Sequence, residues 1–193
     1  MSFINSFDLA AAEFAAAIAK NCGFLTTPLK IITLSGTAGA VFIVAAAMLI
    51  IFKRTRTTGI KAGGALLIGF IFTNLLLKNI IARPRPYADA TSRFYEIWQS
   101  AGALKESGFS FPSGHTTAAT AFGVSLFISL NKKYSWTFLF IPLVMGFTRI
   151  YFCVHYASDV LGGIVVGTTA AILSQSVYGF IIKKLSINAK NSN

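Results

Sequence analysis

Residues 31–52 form a run of 22 positions without one ionisable side chain, and no other feature constrains the fold of this chain as strongly. At about 1.5 Å of rise per residue, a helix of that length crosses a hydrocarbon core of about 30 Å. In lipid each backbone N–H and C=O must find its partner within the chain, so such runs become helices. Four more apolar stretches follow, at 62–77, 116–130, 136–153 and 160–182. Composition agrees, with 54% hydrophobic and only 12% charged residues, where soluble domains carry about 25% charged. The expected fold is all-α, a polytopic transmembrane helical bundle of about five spans. No linker, repeat or low-complexity tract divides it, so residues 1–193 read as one domain.

Residues 1–28 read as an interfacial helix ahead of the spans. The Ala-rich stretch 9–19 is interrupted by Glu13 and flanked by Asp8 and Lys20. Phe3, Ile4, Phe7, Phe14 and Ile18 are available to face acyl chains; a short span is the alternative. The segment lacks the basic start of a secretory signal.

The formal net charge of +11 would suggest nucleic acid in a soluble protein. Here the basic residues lie between apolar spans, so a membrane explains them and no nucleic-acid partner is expected. One set of connections holds Lys53, Arg54, Arg56 and Lys61, then Lys132 and Lys133, then Lys183, Lys184 and Lys190, without an acid among them. The acids Asp8, Glu13, Asp89, Glu96, Glu106 and Asp159 all fall on the opposite side. Lys and Arg favour the cytoplasmic face. The expected location is thus the cell membrane, with the N-terminus outside and the C-terminus inside. Cys22 and Cys153 make no metal-ligand pattern, and nothing in their spacing calls for a disulfide.

Three stretches fall on the outer side: Lys78 through Arg85-Pro86, Pro112-Ser113-Gly114-His115, and Thr148-Arg149 with His155 and Asp159 beyond it. The chain's two histidines therefore share one membrane face with several cations. Fixed cations near helix ends are costly in lipid unless paired or facing a polar cavity. Three of them can neutralise a phosphate dianion, and Arg adds planar bidentate donors. Ser113 suits a helix N-cap, where backbone N–H groups and the helix dipole favour an anion, and Gly114 permits close backbone approach. His155 and Asp159 are four apart, and a carboxylate on one imidazole nitrogen leaves the other free to attack. Arg83 reads as an extra structural or headgroup cation, and Pro84 and Pro86 as the end of the second span. Phe94, Tyr95 and Trp98 read as interfacial anchors, and Asp89, Glu96, Lys105 and Glu106 as solvated loop charges.

These stretches resemble the three signature motifs of the type-2 phosphatidic acid phosphatase (PAP2) superfamily, which spans lipid phosphate phosphatases and the soluble vanadium haloperoxidases. One departure is Thr148, where the family usually has Ser; the hydroxyl is kept. The resemblance implies a motif-bearing core over 62–182 and a metal-independent phosphatase without cofactor. His155 would attack phosphorus to give a phosphohistidine, Asp159 would orient it, and His115 would protonate the leaving oxygen. Lys78, Arg85, Ser113, Gly114 and Arg149 would hold the phosphoryl oxygens. No metal site is expected: the motifs carry one carboxylate, and their cations would repel a metal ion. The expected partner is a lipid phosphate, undecaprenyl diphosphate first. Phosphatidylglycerol phosphate, phosphatidate and lipid A phosphate are alternatives, and a non-catalytic transporter or anion-binding protein is a more remote one. Oligomeric state is not legible.

Overall fold

A computed structural model describes residues 3–191. Among them there are helices and turns and no strand. The main helices are α1 (Phe3–Asn21), α2 (Thr26–Ser35), α3 (Ala40–Ile51) and α4 (Arg56–Ile81). They are followed by α5 (Arg93–Ser100), α6 (Gly114–Ser129), α7 (Phe140–Tyr151) and α8 (Ala157–Asn191). Two of these, α4 and α8, are long and apolar enough to cross a membrane by themselves. Exposed Leu67, Phe70 and Leu75 on α4 and Val165, Ile172 and Phe180 on α8 present the apolar surface such a helix needs.

The uncharged run at 31–52 is not one straight span. It breaks between α2 and α3, which meet at a bend of 60°. Gly39 takes φ +73° there, a left-handed conformation that glycine adopts at little cost. Counted as one span, this pair is the third. The stretches expected at 116–130 and 136–153 are the shorter helices α6 and α7, of 16 and 12 residues, and a 3-10 turn, Trp136–Leu139, leads into α7.

Helix α6 is the hub, packing on α4, α7 and α8, while α3 lies against α4 and α1 crosses α5, α7 and α8. Small residues make the α6–α8 seam close. A Cβ added at Gly167 would lie 2.6 Å from the Thr117 carbonyl oxygen and 2.6 Å from Thr120 Cβ. Helices in lipid gain little from the hydrophobic effect between them and rely on such close backbone approach. Hydroxyls tie the seams further: Thr73 Oγ1 donates to Thr117 Oγ1 at 3.1 Å, joining α4 to α6.

The polar connection before α6 holds an unexpected helix, α5, capped by Ser92, whose hydroxyl accepts from Tyr95 N–H at 3.2 Å. Its aromatics are not free interfacial anchors. Trp98 is buried, stacks on Tyr87 at 4.6 Å and donates its indole N–H to the Leu104 carbonyl at 2.6 Å. Phe94 meets Tyr156 edge-on at 5.1 Å. With Ala12, Ile97, Tyr151 and Phe152 they form a core layer beneath α1. That layer seats α1 with Phe3, Ile4, Phe7 and Phe14 exposed on its outer side.

Gly167→Val is expected to force α6 and α8 apart and cost about 1–3 kcal/mol, as overpacking does. Gly179→Ala, on the same helix with nothing within 4 Å of the added carbon, should leave the thermal midpoint in detergent unchanged or raise it. Equal midpoints for the two variants would contradict the close seam.

Candidate active site

The three sequence stretches meet at one end of the bundle because their backbones bond to one another. Ser110 N–H donates to the Arg83 carbonyl at 2.8 Å, and Ser113 N–H to the Asp159 carbonyl at 3.0 Å. Helix α7 ends in a turn in which Cys153 adopts φ +49°, and Val154 and His155 N–H both point back to the Arg149 carbonyl, at 3.1 and 3.4 Å. This turn brings His155 to Asp159, since α8 begins only at Ala157. Cys153 and Cys22 are both free thiols.

Asp159 sits in the first turn of α8 and is 0% exposed. Its Oδ2 accepts Tyr156 N–H at 2.9 Å, satisfying an amide left open at the helix start. The same oxygen accepts Ser110 Oγ–H at 2.5 Å and lies 3.4 Å from His155 Nδ1. Its Oδ1 accepts Arg83 Nη1 at 2.6 Å. Arg83, expected only as an extra cation, therefore binds the motif carboxylate directly, and its other nitrogen reaches Asp8 at 2.8 Å.

Opposite this, Arg85 Nη1 approaches His155 Nε2 at 3.2 Å and donates to the Val154 carbonyl at 2.9 Å. Its Nε and Nη2 donate to the Gly108 and Ser107 carbonyls at 3.0 and 2.7 Å. A guanidinium can only donate, so Nε2 is the acceptor and Nδ1 carries the proton toward Asp159. Burial pushes the His155 imidazole down to about 4, with the hydrogen bond to Asp159 opposing the fall. The ring is neutral at any pH above that, which is the form a nucleophile requires.

Lys78, Arg85, Gly114, His115 and His155 line one cavity of about 720 Å³. Gly114 lies beside Lys78, whose Nζ would be 3.9 Å from an added Cβ. His115 Nε2 is buried without a hydrogen bond to the described residues. Beyond the cations the cavity is walled by Ile43 and Ala46 of α3 and Leu66, Leu67 and Phe70 of α4.

Ser113, Arg149 and Asp159 stand behind that wall. Ser113 is buried and caps α6, its Oγ accepting Thr116 Oγ1–H at 3.0 Å. Arg149 is 0% exposed; its Nη1 donates to Thr33 on α2 and its Nη2 to Glu106. Thr148 keeps its hydroxyl inside the protein, on the Met145 carbonyl at 2.7 Å and Thr33 Oγ1 at 3.1 Å. Glu106 is thus not a solvated loop charge. Burial opposes its ionisation, yet Arg149 beside it holds the carboxyl below the usual carboxylate range. Asp8 and Thr33 lie far from the motifs in sequence, while Glu106 and Ser110 stand just ahead of Pro112 but outside the motif itself, and no spacing rule pointed to any of the four. Among the described residues no three His, Cys, Asp or Glu side chains group to hold a metal ion.

An all-helical bundle with two buried histidines among fixed cations defines the class. The pattern of the PAP2 superfamily matches residues 58–182, and the chain belongs to that superfamily. It is 30% identical over 141 residues to an undecaprenyl-diphosphatase of Sulfolobus acidocaldarius, covering 71% of this chain and 63% of that one. It is 34% identical to a lipid A 1-phosphatase of Rhizobium johnstonii, covering 60% of this chain and 48% of the relative. The chain thus spans about half to two thirds of these relatives' lengths. A crystal structure of a transmembrane PAP2-type phosphatidylglycerolphosphate phosphatase from Bacillus subtilis superposes with a TM-score of 0.69 at 25% identity, covering 95% of this chain and 88% of that one. These likenesses and the apolar helices make this a membrane protein.

A 15N-NMR titration should find the His155 ring neutral down to about pH 4. A midpoint near the ordinary value of about 6.5 would mean that the ring is not buried as described.

Proposed function

We propose that this chain is a membrane lipid phosphatase, removing a phosphate from a lipid phosphate or diphosphate through a phosphohistidine, with undecaprenyl diphosphate the favoured substrate. The observation that carries this reading is the cavity itself. Its polar end holds both histidines, Lys78 and Arg85, and its other wall is apolar, from α3 and α4. Phosphate and hydrocarbon can therefore be bound side by side. The resemblance to the undecaprenyl-diphosphatase supports the substrate. Phosphatidylglycerol phosphate is the second reading, favoured by the Bacillus subtilis structure aligning over 95% of the chain.

In the proposed reaction His155 Nε2 forms a bond to phosphorus while the bond from phosphorus to the leaving oxygen breaks. His115, whose Nε2 has no partner among the described residues, must hold a proton as imidazolium once the phosphate anion is bound beside it, and gives that proton to the leaving oxygen. Asp159 supports the positive charge that builds on the His155 ring through Nδ1. Water then attacks phosphorus and passes a proton back to His115; the P–N bond breaks, releasing phosphate and neutral His155. Lys78 and Arg85 stabilise the charge of both transition states, with Gly114 and the Ser113-capped helix start completing the phosphate site and Arg149 adding its positive charge from behind the cavity wall. No step calls on a metal ion, because fixed cations take its electrostatic part.

The proposed orientation puts the site outside and the C-terminus in the cytoplasm, on the one-sided distribution of lysine, arginine and acids.

His155→Ala is expected to abolish phosphate release from undecaprenyl diphosphate, and His115→Ala to lower it by about 10²–10⁴-fold, the usual weight of a general acid. Turnover of the wild type should persist in excess EDTA. Near-normal turnover of a folded His155→Ala protein, or loss in EDTA restored by magnesium, would overturn the mechanism.

In a Cys22→Ser background, Ser92→Cys should react with an impermeant thiol reagent in intact cells, and Asn131→Cys only after permeabilisation. The reverse pattern would place the site in the cytoplasm.

A further inference from the structure

Helix α1 precedes the region that matches the superfamily pattern, which begins at residue 58, yet it delivers a charge to the site. Asp8 shares one face of α1 with Ala12 and Ala15, and all three are buried. At 1% exposure a carboxylate needs full compensation, and Asp8 has it. Oδ1 accepts Ser158 N–H at 2.8 Å, and Oδ2 accepts both Ser158 Oγ–H and Arg83 Nη2, each at 2.8 Å. Arg83 then reaches Asp159 Oδ1 at 2.6 Å through its other nitrogen, and its guanidinium lies 3.8 Å from the centre of the Tyr156 ring.

The result is a chain of alternating charge, Asp8, Arg83, Asp159, ending at His155. Asp159 alone contributes one negative charge behind the ring, and Arg83 by itself would cancel it. Asp8 restores the balance.

We propose that Asp8 is a positioning residue for the reaction above: by neutralising Arg83 it leaves the charge of Asp159 free to orient His155 and to support the positive charge that its ring acquires. The inference rests on the phosphatase reading. A purely structural role, closing the first turn of α8 through Ser158, makes a different prediction. Only the charge role is relieved when Arg83 also loses its charge.

The experiment compares wild type, Asp8→Ala, Asp8→Asn, Arg83→Gln and the Asp8→Asn/Arg83→Gln double variant in one detergent. Turnover of undecaprenyl diphosphate and phosphatidylglycerol phosphate is measured, with 15N shifts of the His155 ring at neutral pH. Asp8→Asn keeps a carbonyl oxygen toward Ser158 and so stays informative if Asp8→Ala does not fold. Both single Asp8 variants should lower kcat at least about tenfold with KM changed by less than about twofold, a loss confined to the transition state. Arg83→Gln should recover most of the loss seen in Asp8→Asn. The ring shifts should show Asp8→Asn losing part of the Nδ1–H tautomer.

Unchanged kcat in the Asp8 variants overturns the proposal. So does a loss that accompanies a lower thermal midpoint and is not recovered by Arg83→Gln. If the wild type releases no phosphate from either lipid, the phosphatase reading fails, and the ring shifts alone decide on Asp8: unchanged shifts in Asp8→Asn then refute its coupling to His155.

Discussion

The site depends on one buried carboxylate. Asp159 is removed from water at the start of a helix 35 residues long, and leaving such a charge unpaired costs several kcal/mol. Its partners come from separate parts of the chain: Arg83 after α4, Ser110 before α6, and Tyr156 N–H with His155 in the turn before α8. None of these segments can reach its place without the others. The arrangement ties the geometry of His155 to the packing of this whole end of the bundle, which includes α1 through Asp8. Stability and proposed chemistry therefore share the same hydrogen bonds.

The second buried charge, Arg149, follows the same logic in a different way. It is held by Thr33 from α2 and Glu106 from the connection before α6, so the bent α2–α3 pair and that connection both serve it. The bend between α2 and α3 brings Gly36 against the ring of His115, whose Cδ2 would be 3.1 Å from an added Cβ. A straight helix over the same residues would satisfy the membrane equally well by hydropathy. Packing against α6 and α7 decides otherwise.

Apolar runs, one-sided charge and three short motifs sufficed to predict an all-helical membrane bundle and to name His115, His155, Asp159, Lys78, Arg85, Ser113, Gly114 and Arg149 as a group. These signals are local or depend on spacing along one strand of chain, so they are legible without coordinates. The motif residues do not form one shell, however. Lys78, Arg85, Gly114, His115 and His155 line the cavity, while Ser113, Asp159 and Arg149 are buried behind it. Helix α5 was hidden because Arg93, Glu96, Gln99 and Ser100 give its short sequence the polarity of a loop. Its core side, with Ile97 and Trp98, becomes meaningful only against α1.

What the sequence alone determined is therefore the class of solvent, the all-helical architecture and the chemical types at the site, since hydrophobic length and charge asymmetry act residue by residue. The tertiary structure decided which charges neutralise one another. Asp8 and Glu106 look like ordinary surface acids in the sequence, because pairing over a long separation leaves no periodic trace. They become site components only when folding excludes water and forces each buried guanidinium to find the nearest carboxylate.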